Sequence, residues 1–417
     1  MQHIVIEKPY KFIPPHRGTL WPWFIRTFSL HASYLRKHGI FEYECRHVDR
    51  LRQSVGAGHG VLLTPNHSRP EDPIVVGWLA KEAKILVYAM ASWHLFNQDK
   101  FTAWAIRKMG GFSVNREGVD RTAINTAIEA LATAERPLIL FPEGATTRTN
   151  DRLHALLDGV AFIARTAAKR RAKNHPGGKV VMHPIALKYL FREDLKTAVS
   201  PVLAEFEKRL TWQPQDNLPL LNRIAKLGGA LLCLKEVEYF GQPQSADMTE
   251  RLDRLIDHLL SPLEEEWLGG RQEEPVVPRV KALRMKITPD MVGGRLAADE
   301  YQRRWRQLAD IYLAQQLSCY LPEYVASYPS VDRLLETVER FDEDLTDATR
   351  VFGKHRVIIE VGEAVEIDPH RDRKAEVDPL MTLLGERLQG MLDRLALESP
   401  LHEPARSPAP VPAAAGS

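Results

Sequence analysis

Between Gly60 and about Leu190 the chain repeats one pattern. Short runs rich in aliphatic residues, GVLLTP, KILVYAM, FSVN, PLILF and KVVMHPIAL, are each followed by a loop or helix signal. Alternation of this kind predicts an α/β domain, here residues 60–194. A later run, HRVIIEVGEAVEI at 355–367, alternates strongly and precedes the amphipathic stretch DPLMTLLGERLQGMLDRL. These read as a closing strand and helix of the same sheet, residues 351–397. The intervening 195–350 shows helical periodicity in MTERLDRLIDHLLSPL, EYQRRWRQLADIYLAQQL and VDRLLETVERF, and reads as a mainly helical insertion. Residues 398–417, Pro/Ala-rich with almost nothing to bury, are expected to be disordered.

Composition narrows the function classes. The 417 residues are 44% hydrophobic and 26% charged, ample for a large core. A formal charge of +2, without regular basic stripes, gives no footing for a nucleic-acid partner. Cys45, Cys233 and Cys319 lie far apart, as suits reduced thiols on a cytosolic face. No apolar run reaches the length of a spanning helix, and MQHIVIEKPYKF lacks the apolar block of a signal peptide. The expected place is cytoplasmic, peripheral on the inner face of a membrane.

That membrane expectation comes from residues 1–59. Residues 1 to 60 carry nine Lys/Arg against four acids, about +5. Within them TLWPWFIRTFSLHASYLRKHG reads as one amphipathic helix, with Leu20, Trp21, Phe24, Ile25, Phe28 and Tyr34 on its apolar side. Such a helix either lies in a headgroup layer or covers a core, and the local charge favours the layer.

The stretch LLTPNHSRPEDPIVVGWLA sets His67 and Asp72 five residues apart. Ser68 and Glu71 have the spacing of a capping box, which explains Glu71 structurally and puts Asp72 about one turn inside a helix. There its carboxylate can accept a hydrogen bond from one imidazole nitrogen, leaving the other free as a base. Taken alone, this spacing belongs far more often to a satisfied loop histidine than to a catalytic pair. Three further stretches add to it: GGFSVNRE ending at Arg116, LILFPEGATTR with Glu143 and Gly144, and VVMHPIAL with Pro184. Together they resemble the glycerolipid (1-acylglycerol-3-phosphate) acyltransferase family, with its NHxxxxD, Gly-x-x-Phe-x-x-Arg and Phe-Pro-Glu-Gly boxes and a Pro-containing strand. The specific part is Asn66-His67-x4-Asp72 with Phe141-Pro142-Glu143-Gly144, and the likeness covers roughly residues 15–190.

The resemblance implies a mixed sheet flanked by helices. It implies transfer of a fatty acyl group from acyl-CoA or acyl carrier protein, as co-substrate, to the hydroxyl of a lysophospholipid-like acceptor. His67 would be the base and Asp72 its orienting partner, with Asn66, Arg116, Glu143, Gly144 and Arg148 meeting substrate; neither a cofactor nor a metal is called for. Arginine offers a planar fork suited to phosphate. The chain also departs from the pattern: Thr146 stands where the family has an arginine, only Arg148 remaining, and Ser113 replaces the aromatic of the second box. The lost guanidinium weakens the case for a phosphate headgroup and keeps open an acyltransferase for another alcohol or amine. Rivals from other classes are a silent membrane-binding scaffold and a metal hydrolase using His67, Asp72 and Glu71. KRRAK at 169–173 reads as a solvated face, and His183, without a His or Cys partner at ligand spacing, as a core or edge histidine.

Overall fold

The computed structural model describes residues 4–28, 30–292, 294, 296–371, 374–375 and 377–402. Its centre is a mixed sheet in the order β1-β7-β6-β2-β5-β3-β4, with β8 paired to β6. The strands are β1 (Ile40–Arg46), β2 (Gly60–Pro65), β3 (Tyr88–Ser92), β4 (Gly111–Val114), β5 (Leu138–Ile139), β6 (Val180–Phe191), β7 (His355–Val361) and β8 (Val365–Glu366). From β6 through β2, β5 and β3 to β4 all neighbours run parallel, and β7 lies antiparallel to β6. Strands such as β2 and β6 are buried along their whole length and mainly apolar, because helices cover both faces. On one face α6 (Arg121–Thr133), α7 (Gly159–Asn174) and α15 (Pro379–Ala396) share a core with Leu62, Met182 and Ile358. On the other, α2 (Leu30–Lys37), α3 (Val48–Gly56) and α4 (Asp72–Ala83) pack on Leu63, Ile185 and Ile359.

Two readings of the N-terminal segment change. The expected single helix is broken into α1 (Leu20–Thr27) and α2, and these behave differently. Leu35 of α2 is buried in the core, whereas α1 leaves Leu20 69% and Trp23 49% exposed, and Phe28 just after it is 60% exposed. The segment also supplies β1, which pairs parallel with β7, so residues 40–56 belong to the sheet domain. The alternation in FEYECR was the available signal. Among the described residues no helix is long and apolar enough to cross a membrane.

The stretch 195–350 holds α8 (Leu195–Arg209), α9 (Leu220–Phe240), α10 (Met248–Leu268), α11 (Val276–Ile287), α12 (Ala298–Leu317), α13 (Pro322–Ser327) and α14 (Val331–Thr346), compatible with the helical periodicity of its sequence. Leu255, Leu283 and Ile311 form a separate core among α10, α11 and α12. A second cluster, with Phe206 and Leu334, joins α8, α9 and α14. Of the tail, residues 399–402 run beside the start of α14, where Leu401 bridges Ser330 and Ser399 is buried, rather than being loose. Residues 403–417 lie outside the described residues.

Candidate active site

The site forms where the parallel strands end, the usual place for ligands in an α/β sheet. After β2 ends at Pro65, the Asn66 side chain continues its ladder. Its amide nitrogen donates to Leu187 O at 3.1 Å and its oxygen accepts from Leu187 N at 2.7 Å. Asn150 does the same two residues on, donating to Tyr189 O at 2.7 Å and accepting from Tyr189 N at 2.9 Å. Two side chains thus stand in for backbone and hold the His67 loop and the 147–151 loop against β6. Asn66, buried with both amide groups used, positions the loop and does not line the cavity, contrary to its expected contact with substrate.

The His67 loop and the loop after Phe-Pro-Glu-Gly are joined backbone to backbone, Thr147 N donating to His67 O at 2.9 Å and Arg148 N to Ser68 O at 3.1 Å. Glu143, also buried, accepts from His67 N at 2.7 Å and from His154 N at 2.9 Å. It too is a brace between loops and not a substrate ligand. Burial pushes its carboxyl up to about 7, while the two N–H bonds pull the other way. Gly144 has φ +68°, and a Cβ there would sit 2.4 Å from Leu157 Cδ1, so this turn admits only glycine without rearrangement.

Asp72 and His67 meet as the spacing implied, Nδ1 lying 3.0 Å from Asp72 Oδ2. The reason differs from the capping box. Helix α4 starts at Asp72 itself, Ser68 makes no cap and its buried Oγ has no partner, and Glu71 turns to His38 at 3.0 Å. Asp72 Oδ2 also accepts from Arg69 N at 2.8 Å, and Oδ1 accepts from the Tyr189 hydroxyl at 2.5 Å. Burial and the adjacent carboxylate hold that hydroxyl far above its usual range, so it remains a donor. Tyr189 was missed because the sixth strand was read only to Leu187; its length decides that residue 189 faces Asp72.

With Nδ1–H directed to Asp72, the lone pair of His67 Nε2 is presented to the cavity. Thr146 Oγ1 lies 3.4 Å from Nε2, and the imidazole rests against Phe141 with ring centres 4.2 Å apart. The cavity has a volume of 2280 Å³, well beyond the roughly 300–1,000 Å³ of a small-ligand pocket. Its walls come from both halves of the chain: His67, Arg116 and Thr146 from the sheet domain, Leu231, Val280 and Tyr312 from the helical insertion. Trp21 and Phe24 of α1 line it as well.

The two expected cations separate. Arg116 lines the cavity and donates to Gly144 O. Arg148 reaches the cavity wall but is buried in an ion pair with Glu343 of α14, its Nε 2.9 Å from Oε2. It fastens the insertion to the site and its guanidinium is occupied, so it is not the acceptor's second anchor. Helix α14 adds Glu339, paired with Arg69 at 2.7 Å, and Arg340, donating to Thr147 O at 2.6 Å. The insertion is therefore part of the site's framework, which sequence periodicity could not reveal.

Of the remaining features, His183 is a satisfied core histidine, with Ser54 Oγ and Gly362 O each 2.9 Å from its ring nitrogens. In KRRAK, Arg171 departs from the solvated-face reading: it is buried and donates to Ala132 O at 2.8 Å. Among the described residues no three His, Cys, Asp or Glu side chains lie together as a metal site would require.

Comparison with known proteins bears on the same half of the chain. The family model described as Acyltransferase matches residues 43–188, which contain His67, Asp72, Arg116, Glu143 and Gly144. A 1-acyl-sn-glycerol-3-phosphate acyltransferase of Streptococcus pneumoniae (strain ATCC BAA-255 / R6) is 33% identical over 110 residues, 26% of this chain. The match spans 38% of that protein's length. Residues 43–188, which hold the His67–Asp72 site, are thus similar to the acyltransferase domain, and the chain spans well under half the length of the curated relative it matches.

Proposed function

We propose that the protein moves a fatty acyl group from an acyl-CoA or acyl carrier protein thioester to the hydroxyl of a lysophospholipid-like acceptor, 1-acylglycerol-3-phosphate in the first instance, in phospholipid biosynthesis. The observation that carries this is the His67–Asp72 pair, with Nε2 presented to a cavity large enough for an acyl chain and an acceptor together. The acceptor hydroxyl gives its proton to Nε2 as its oxygen attacks the thioester carbonyl. The C–O bond forms, the C–S bond breaks, and the leaving thiolate takes the proton back from the imidazolium. Asp72 holds the productive tautomer and stabilises the charged ring. No acyl-enzyme is needed, and none of these steps calls on a metal or a further cofactor.

The exposed aromatic side chains of α1, beside the basic N-terminal segment, would seat the cavity mouth on the cytoplasmic surface of an anionic bilayer. The deciding experiment incubates purified protein with labelled acyl-CoA and a panel of lysolipids, monoacylglycerol and amine lipids, and identifies the product by mass. Transfer to a phosphate-bearing acceptor, abolished in His67→Ala, is the expected result. Transfer only to a phosphate-free alcohol or amine, the reading favoured by Thr146, would redirect the acceptor assignment. Absence of transfer to any acceptor would leave a membrane-binding scaffold.

A further inference from the structure

Helix α11 belongs to the core of the insertion through Leu283 and Ile287, yet turns another face into the cavity. Lys281 and Arg284, three residues apart and so neighbours on one helical face, line the cavity with Arg116. The charge of Arg116 reaches both. Burial first, and Arg116 second, lower the Lys281 ammonium and push the Arg284 guanidinium down to about 10. Arg148, by contrast, has Glu343 as its counter-ion.

None of Arg116, Lys281 and Arg284 forms a salt bridge among the described residues, and Arg284 Nε is buried without a partner. Glu117 is the carboxylate whose field reaches Arg116 and Arg284. Arg116 and Arg284 are half-buried and Lys281 opens to solvent at the cavity. Like charges set together with no ion pair among them are unfavourable, and an anion placed among them relieves both the repulsion and the unmet donor of Arg284.

We propose that Arg116, Lys281 and Arg284 form an anion site for a phosphate ester carried by one of the substrates, with the helical insertion supplying two of its three cations. The inference rests on acyl transfer at His67 and adds what the insertion is for. It also supplies the positive charge that Thr146 omits and that Arg148 has committed to Glu343. Guanidinium and ammonium donors make charge-assisted hydrogen bonds to phosphate oxygens, and the bidentate fork of arginine adds direction.

The test compares wild type with Lys281→Gln, Arg284→Gln and the double variant, with Arg284→Lys as the conservative control. KM and kcat are measured for lysophosphatidic acid, for monoacylglycerol and for acyl-CoA. A contact of this kind lost from Arg284 should raise KM for lysophosphatidic acid about ten- to a hundredfold with kcat little changed. KM for monoacylglycerol should stay constant, and Arg284→Lys should recover part of the loss. If KM for acyl-CoA rises instead, the same site serves the donor's phosphates. Thermal melting separates this from a structural role: relieving the repulsion should leave Tm unchanged or raise it, whereas a structural arginine would lower it. Folded variants with no change in any KM would overturn the proposal. If the wild type transfers no acyl group at all, the proposed reaction fails separately. Calorimetric binding of a short-chain lysophosphatidic acid, weakened in the double variant or not, then still decides the anion site.

Discussion

Replacing Asp72 with asparagine keeps the shape of a buried side chain while removing the charge that three donors share. Arg69 N at 2.8 Å, His67 Nδ1 at 3.0 Å and the Tyr189 hydroxyl at 2.5 Å all converge on its two oxygens. An asparagine has one oxygen for them. If that oxygen keeps Arg69 and His67, its amide faces Tyr189, whose hydroxyl can rotate to accept. The cost is then the loss of charge assistance, about 1–3 kcal/mol of stability in all. If the amide faces His67 instead, it selects the tautomer with the proton on Nε2, and the base is lost. Either way the imidazolium loses its partner, so kcat should fall by ~10²–10⁴-fold, the range over which positioned acid–base catalysis works. His67→Ala should fall as far with less effect on stability, because its side chain sits at the cavity wall. The assay is steady-state transfer from labelled acyl-CoA alongside denaturant unfolding, for both single variants and the double. Residues acting as one unit give a double variant scarcely slower than His67→Ala. Losses that multiply, or a folded His67→Ala protein with near-normal turnover, would refute the pairing.

Other consequences are directly measurable. Glu143 holds its proton more tightly when folded, at about 7 against the usual 4.5, so its contribution to stability declines as pH rises from about 4.5 to about 7. Glu143→Gln should remove roughly 3 kcal/mol of that dependence from unfolding measured across the window, and an unchanged profile would mean the carboxyl is ionised throughout. Glu343→Gln removes the direct ion-pair partner of the buried Arg148 guanidinium, leaving only the more distant charges of Glu339 and Glu71, and should cost about 3 kcal/mol in unfolding free energy. A loss below about 1 kcal/mol would show that the pair is not a fastening of the insertion. Trp23→Ala with Phe28→Ala removes two exposed aromatic side chains in and just after α1 and should weaken co-sedimentation with anionic vesicles, each inserted ring being worth on the order of 2 kcal/mol. Unchanged sedimentation would place the membrane contact elsewhere.

The sequence by itself determined the class of fold and the meeting of His67 with Asp72, because both are written in local order. Buried parallel strands need apolar runs, so GVLLTP and KVVMHPIAL are visible without any partner, and the same holds for the helices of 195–350. An imidazole and a carboxylate five residues apart are bridged by a single loop, so His67 and Asp72 were legible together, even though the capping box assumed there does not form. What the tertiary structure decided were the assignments that depend on residues distant in sequence. Asn66 and Glu143 lie in the same sequence boxes as His67 and the loop that meets it, yet their partners, Leu187 and His154, turn them into braces. Arg148 is an available cation in sequence and an occupied one beside Glu343, 195 positions away. Tyr189 becomes Asp72's partner, and Lys281 and Arg284 become neighbours of Arg116, only when β6 and α11 pack where they do. Hydrophobic periodicity says which face of an element is buried and not what meets it. The role of a polar group is set by its distance to donors and acceptors on other elements, and packing alone fixes that distance.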